Sequence, residues 1–302
     1  MKSYKELLNS LEDDNSLRLL SAEETQKLRK TMMDAYQELA KCCERHNLTV
    51  MLIGGSALGA VRHKGFIPWD DDLDVAMPRE DFEKLKGIFE RELGEKYYLS
   101  SPNYKGHSKG RFPMMMVRDT LLTDLGESPD DENARIKVDI FLIDNIPNNK
   151  MHRLLKGLTC TVLMFVASYV YSYEHRDAQT ERFMCKTKEG EKEYKRRMRL
   201  GKLFSFKGTQ WWYDSVDKAF QYKKETELLG IPSGRGHYFG EILPREAFLP
   251  ASEGVFEGLS VKLPGKPQVY LNNLYGANYM QLPPEEKRER HMITEIRFRE
   301  DD

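Results

Sequence analysis

An α+β fold is what this sequence predicts, and three observations predict it. Runs of strand character, Leu48 to Ile53 (LTVMLI) and Arg135 to Ile143 (RIKVDIFLI), are separated by helical patterning rather than by tight turns. A helical middle follows, with 17 uncharged residues from Gly157 to Tyr173. The C-terminal part returns to a hairpin pattern in VFEGLSVKLPG. We therefore expect a sheet-and-helix core over residues 1–150 and a helical and C-terminal region over residues 151–302, the two packed as one unit.

The first helix is announced by Ser21-Ala22-Glu23-Glu24, a capping box, after which Leu28, Met32, Tyr36, Leu39 and Cys43 recur at helical spacing. It leads into the strand at Leu48 to Ile53. Gly54-Gly55-Ser56 then lets the backbone turn sharply into a short helix, Ala57 to Arg62, and free N–H groups at such a helix start suit a phosphate. Next come consecutive acids, in which Asp72 and Asp74 alternate with Leu73 and Val75. In a strand that alternation sends the two acids to one face and the two apolar residues to the other. Two adjacent carboxylates repel unless a divalent cation lies between them, so this segment asks for a metal. Asp70 and Asp71 read as supporting or turn residues, because three consecutive strand acids cannot all face one ion. Pro78 and Arg79 open a helix with Phe82, Leu85, Phe89 and Leu93 on one side.

Short apolar runs at Tyr97 to Leu99 and Met114 to Val117 are further strands, and the polar stretch between Val117 and Ala134 is expected as an exposed loop. In the strand from Arg135 to Ile143, Asp139 shares a face with Arg135 and Lys137, opposite Ile136, Val138, Ile140 and Leu142. It is either an ion-pair partner of Lys137 or Arg118 or a third carboxylate for the metal site. Hard oxygen donors from Asp72, Asp74 and Asp139 favour Mg2+ or Mn2+ over zinc, and a pair of such ions suits phosphoryl or nucleotidyl transfer.

The uncharged run from Gly157 to Tyr173 is at the short limit for a membrane span and holds several hydroxyl residues, so a buried helix is expected. Lys195-Arg196-Arg197 with Arg199, Lys202 and Lys207 is a basic run without acids of its own, and weak peripheral contact with an anionic membrane would come from it. Trp211, Trp212, Tyr213, Val216, Ala219 and Phe220 then return to helical spacing. His237 and His291 have no metal partner at ligand spacing and are read as structural hydrogen-bonding groups.

A net charge of -1 gives no global field for nucleic acid, and no nucleic-acid motif is present. The four cysteines show neither zinc spacing nor a disulfide framework, which points to a reducing compartment. The charged N-terminal residues lack a signal-peptide core, so a cytoplasmic protein is expected, with peripheral contact at the inner face of the membrane.

The segment Arg62-His63-Lys64-Gly65-Phe66-Ile67-Pro68-Trp69-Asp70-Asp71-Asp72, with the Gly-rich turn before it and the hydrophobic-Asp-hydrophobic close after it, resembles the LicD family, the fukutin-related branch of the nucleotidyltransferase-fold superfamily. The likeness extends to Phe256-Glu257-Gly258, Pro264, Tyr270-Leu271, Tyr275-Gly276, Leu282-Pro283-Pro284 and His291. It implies a nucleotidyltransferase-like mixed sheet flanked by helices, with His63 to Trp69 as an insertion that lengthens the gap between Ser56 and Asp72. It further implies that Asp72, Asp74 and Asp139 are catalytic metal ligands. Asp139 would serve the attacking hydroxyl, while Gly54, Gly55, Ser56, Arg62, His63 and Lys64 would hold the donor phosphates. The family resemblance points to a CDP-linked alcohol as donor, such as CDP-choline, CDP-ribitol or CDP-glycerol, and to a glycan or lipid-linked oligosaccharide as acceptor, with CMP leaving. A nucleotidyltransferase that releases pyrophosphate and a non-catalytic nucleotide-binding scaffold are the alternatives.

Overall fold

The structure is a computed structural model that describes residues 18–104, 110–124, 129–284, 288 and 293–299. His291 lies outside the described residues, as do residues 1–17. Helix α1 (Ala22–Arg45) begins at the expected capping box: the Ser21 hydroxyl accepts from the Glu24 N–H at 3.1 Å, and the Ser21 N–H donates to the Glu24 carboxylate at 2.9 Å. Its periodic residues Leu28, Met32, Tyr36, Leu39 and Cys43 are all buried. Strand β1 is only Met51–Leu52, shorter than the apolar run suggests, because it pairs only with Ala76 and Val75 of β2 (Asp74–Pro78). Helix α2 (Gly54–Arg62) lies between them and starts at the first glycine of the turn. Helix α3 (Arg79–Leu93) buries Phe82, Leu85, Phe89 and Leu93 as its periodicity predicts.

The organising strand is β6 (Lys137–Ile146). On one side it runs parallel to β2, with Asp74 opposite Asp139. On the other it runs antiparallel to β4 (Met114–Val117), which pairs with β3 (Tyr97–Ser100). Further along, its Asp144–Ile146 end pairs with β7 (Leu228–Gly230), and β7 pairs with β8 (Ile242–Pro244). The result is a mixed sheet flanked by helices, as expected. Ile136, Val138, Ile140 and Leu142 join the core beside residues of α1 and α3, each contributing about 1.5–3 kcal/mol relative to exposure. Alternation therefore puts Asp139 on the other face.

One expectation fails between Val117 and Ala134. The segment contains strand β5 (Leu121–Asp124), which pairs with β11 (Ile293–Arg297) from the far end of the chain. A local reading has no access to a partner that distant, and the polar residues around it look like loop.

The helical middle is α4 (Lys150–Glu174), α5 (Ala178–Met184), α6 (Lys188–Phe204) and α7 (Thr209–Phe220). The expectation of a buried helix over Gly157 to Tyr173 holds on one side only. Cys160, Val166, Ala167 and Val170 pack with Trp212, Val216 and Phe220, whereas Leu155, Leu158 and Val162 are 58%, 50% and 60% exposed. From Gly157 to Tyr173 the helix is uncharged and largely apolar, but the bundle covers only one of its faces. The basic run on α6 is likewise not free of acids: Lys195 binds Glu191, and Arg196 and Arg197 both bind Glu193 at 2.6 and 3.0 Å. Those acids sit one helical turn earlier, where a linear reading does not pair them.

A buried ion network ties this bundle to the sheet. Arg79 donates to Asp144 of β6 and to Asp217 of α7, each at 2.8 Å, and Asn103 also donates to Asp217. Burial pushes the Asp144 carboxyl up and the Arg79 guanidinium opposes that shift. The C-terminal hairpin, β9 (Ser252–Phe256) and β10 (Leu259–Leu263), turns at Glu257-Gly258, both with positive φ. After it, α9 (Pro267–Tyr275) stops at Gly276. Phe256 meets Phe66 edge-on at 4.8 Å, which seats the hairpin on the loop that leads to the acids.

Candidate active site

The parallel pairing of β2 with β6 places Asp74, the first residue of β2, and Asp139, near the start of β6, side by side on one face. Asp72 sits in the approach to β2, and Leu73 between them is buried on the core side, so the predicted alternation is observed. The Asp74 carboxyl is held well above the usual carboxylate range, first by burial and then by the charges of Asp72, Asp139, Asp70 and Glu241. The charges that act most strongly on it are all carboxylates. Carboxylates crowded in this way resist ionising together unless a cation offsets their repulsion, and their hard oxygen donors suit Mg2+ or Mn2+.

The glycine turn forms the wall of this site. Gly54 has φ +54°, and a Cβ there would lie 2.8 Å from Asp74 Oδ2; a Cβ on Gly55 would lie 2.7 Å from Asp70 Oδ2. Only glycine lets the start of α2 approach both carboxylates this closely. Asp70, read from sequence as a supporting residue, thus stands against the turn with its carboxylate directed at it. The buried Ser56 hydroxyl accepts from the Asp74 N–H at 2.9 Å, fixing the strand that carries the acid. The Gly54 N–H donates to the Tyr270 hydroxyl at 3.2 Å. The Gly55 and Ser56 N–H groups, at the first turn of α2, have no acceptor within the helix. Of the proposed donor-phosphate set, Gly54 and Ser56 are therefore already bonded to protein groups.

The remaining members lie together where α2 ends and the insertion begins. Arg62 donates to the Tyr279 and Gln281 carbonyls at 2.8 and 3.2 Å, fastening the C-terminal segment beside the site. Burial and the adjacent Arg62 hold the His63 imidazole below its ordinary pKa. Lys64 is exposed, with φ +61°. Its carbonyl accepts from the Glu257 N–H at 2.9 Å, and Glu257 Oε1 accepts from the Phe66 N–H at 2.9 Å. Arg29 reaches across from α1 to the Ile67, Pro68 and Asp70 carbonyls. The insertion is thus held from both sides, by α1 and by the C-terminal hairpin.

Sequence reasoning gave no role to Glu241 or Tyr270. The Tyr270 hydroxyl donates to Glu241 Oε2 at 2.9 Å while accepting from Gly54, and Glu241 Oε1 accepts from the Arg235 N–H at 2.7 Å. Glu241 is 2% exposed. Burial raises its carboxyl to about 7, against the hydrogen bonds from Tyr270 and Arg235. The signal in the sequence is an acid directly before the apolar Ile242-Leu243 pair, the same type of signal that singled out Asp139. His237 is exposed and rests against the Phe165 ring, at 6.0 Å between centroids. Away from this site, ligand-type atoms of Cys42, His46 and Glu92 lie within 4.8 Å of one another, but Glu92 already binds Arg45 and Arg91.

Glu241 gives a pH prediction. Its folded pKa lies above the unfolded value of 4.5, so the native state keeps a proton that the unfolded state releases. Stability falls as pH rises through the window from 4.5 to about 7, by about 3 kcal/mol in total. Glu241→Gln should flatten that part of the curve and leave the variant more stable than the wild type at pH above the window. Urea unfolding of both proteins across it measures the difference, and parallel curves would show that Glu241 is ionised throughout.

Residues 47–153 match the LicD/FKTN/FKRP nucleotidyltransferase domain. The chain is 26% identical over 286 residues to the lipopolysaccharide cholinephosphotransferase LicD of Haemophilus influenzae, an alignment covering 92% of this chain and 98% of that protein. Shorter matches are to uncharacterized proteins of Rickettsia prowazekii and Rickettsia typhi, 39% identical over 69 and 78 residues, about a quarter of either chain. The matched domain spans the glycine turn, the insertion and all three aspartates.

Proposed function

We propose, for a chain that belongs to the LicD-type phosphotransferase family, that it moves a phospho-alcohol such as phosphocholine or ribitol or glycerol phosphate. The donor is the CDP-linked alcohol and the acceptor a sugar hydroxyl on a cell-surface glycan or its lipid-linked precursor. The observation that carries this reading is the register of Asp74 against Asp139 beneath the glycine-rich start of α2. The similarity to a lipopolysaccharide cholinephosphotransferase along nearly both whole chains supports the choice of donor and acceptor.

In this reading Asp72, Asp74 and Asp139 would hold Mg2+ or Mn2+, which would supply positive charge to offset that of the phosphates. The Gly55 and Ser56 amides and the Ser56 hydroxyl proton face the donor phosphates at the positive end of α2. Arg62, His63 and Lys64 bring further donors along the insertion. Asp139, on the neighbouring strand, orients the acceptor hydroxyl and takes its proton. The acceptor oxygen bonds to the phosphorus that bears the alcohol, the bond from that phosphorus to the CMP oxygen breaks, and CMP leaves. Glu241 and Tyr270 set the position of the turn through the Gly54 amide. We place the reaction in the cytoplasm, on the support of four cysteines without a disulfide framework, with weak peripheral contact at the inner face of the membrane.

The test is a donor screen. With Mg2+, the purified protein should release CMP from one CDP-linked alcohol and no pyrophosphate from nucleoside triphosphates. Pyrophosphate release would make it a nucleotidyltransferase; donor binding without either product would make it a scaffold.

A further inference from the structure

We infer that helix α4 docks the protein on an anionic lipid surface, lying along the boundary between headgroups and acyl chains. Met151, Leu154, Leu155, Leu158, Val162 and Phe165 are all large, apolar and exposed. At 3.6 residues per turn these positions fall on one face, forming a stripe about 21 Å long. No acid occurs between Met151 and Tyr173. Scattered exposed leucines are ordinary, but a continuous row of this length on one helix face marks an interaction surface.

The stripe widens at Phe239. That exposed ring lies against Gly157, where a Cβ would come within 2.1 Å of it, so the glycine makes room for it beside the helix. Cations rim the stripe. Lys150 is exposed at its start, and the neighbouring His152 ring contacts Tyr222 at 5.5 Å, which brings the exposed Lys223 and Lys224 to the same end. Arg235 is exposed toward the other end, where the His237 ring meets Phe165. An apolar stripe with a cationic rim complements an anionic bilayer, the geometry of an interfacial helix.

The helix is long and apolar enough to cross a membrane, yet its opposite face is sealed against α7 through Cys160, Ala167 and Val170. It is held in the bundle and so lies on the surface rather than through it. Phe239 belongs to helix α8 (His237–Gly240), and Glu241, the next residue after that helix, reaches Tyr270 at the carboxylate site. Docking through this face therefore brings the site close to the lipid. The docking itself stands on the stripe and its rim; delivery of a lipid-linked acceptor would rest on the function proposed above.

The experiment is flotation with vesicles of phosphatidylcholine, alone or mixed with phosphatidylglycerol, read together with sedimentation of the lipid-free protein. The wild type should float with the mixed vesicles and remain partly bound in high salt, because part of the attachment is apolar. Leu155→Glu with Leu158→Glu should weaken binding by about tenfold or more while the circular dichroism stays unchanged, since both side chains are exposed. Lys223→Glu with Lys224→Glu should lose the preference for the anionic lipid and keep the salt-resistant part. A wild type that does not float, or a leucine variant that floats as well as the wild type, would overturn the inference. A lipid-free dimer that the leucine variant dissociates, without vesicle binding, would assign the face to a second copy of this chain. A normal donor screen with no flotation would fault the docking alone, whereas flotation with an inactive donor screen would fault only the proposed reaction.

Discussion

Asp74→Asn should abolish transfer, by about 10³-fold or more, the scale on which one preorganised electrostatic partner acts, while the metal-free variant unfolds at a higher temperature than the wild type. Both effects come from one fact: the Asp74 carboxyl is desolvated among Asp72, Asp139, Asp70 and Glu241. Removing its charge relieves that repulsion and removes a hard oxygen donor at the same time. Asp72→Asn should show the same loss of turnover. Asp139→Asn should lose turnover yet bind the CDP-linked donor nearly as the wild type does, since it stands on the neighbouring strand and is assigned to the acceptor hydroxyl. Initial rates, donor titration by calorimetry and melting in chelator separate the three. A variant at Asp74 that melts lower in chelator would show that the carboxylate is a structural partner; one that turns over normally with Mg2+ would remove the metal assignment.

Much of this site was legible because its residues are close in sequence. The turn at Gly54, the insertion and the alternating acids occupy one continuous stretch, and alternation alone gives the face of Asp74. Asp139 was legible as an acid in an otherwise apolar strand. The register that sets it opposite Asp74 was not, since parallel pairing joins strands about 60 residues apart through a crossover. Glu241 and Tyr270 depend on contacts that span still more chain. Tyr270 falls in a recognisable block without a role, and Glu241 in a Gly-rich stretch that reads as irregular. Helix α4 illustrates the opposite limit. Composition shows a long uncharged run, but only the placement of α6 and α7 decides which side is left uncovered. Strand β5 was lost for a similar reason, because what makes it a strand is Ile293–Arg297.

Gly54→Ala should reduce turnover by about 10²-fold, the penalty of moving a reactive geometry by roughly an ångström, and lower stability by about 1–3 kcal/mol. Two causes act together. The backbone at Gly54 has φ +54°, where a side chain is strained, and the new Cβ would come within 2.8 Å of Asp74 Oδ2. The contact is with the carboxylate itself, so relief has to come from moving Asp74 or the turn, and the turn is tied to Tyr270 through the Gly54 N–H. Two controls separate these causes. Gly258, at φ +77° with nothing within 4 Å of a Cβ, carries strain without a clash; Gly258→Ala should destabilise by a similar backbone cost and spare most of the turnover. Gly87, in the middle of α3, has ordinary helical backbone and open space around it. Gly87→Ala should add about 0.5–1 kcal/mol of stability and leave catalysis unchanged. If Gly54→Ala lost only as much turnover as Gly258→Ala, strain in the fold would account for it; a much larger loss at matched stability isolates the approach of the turn to Asp74 as what catalysis requires.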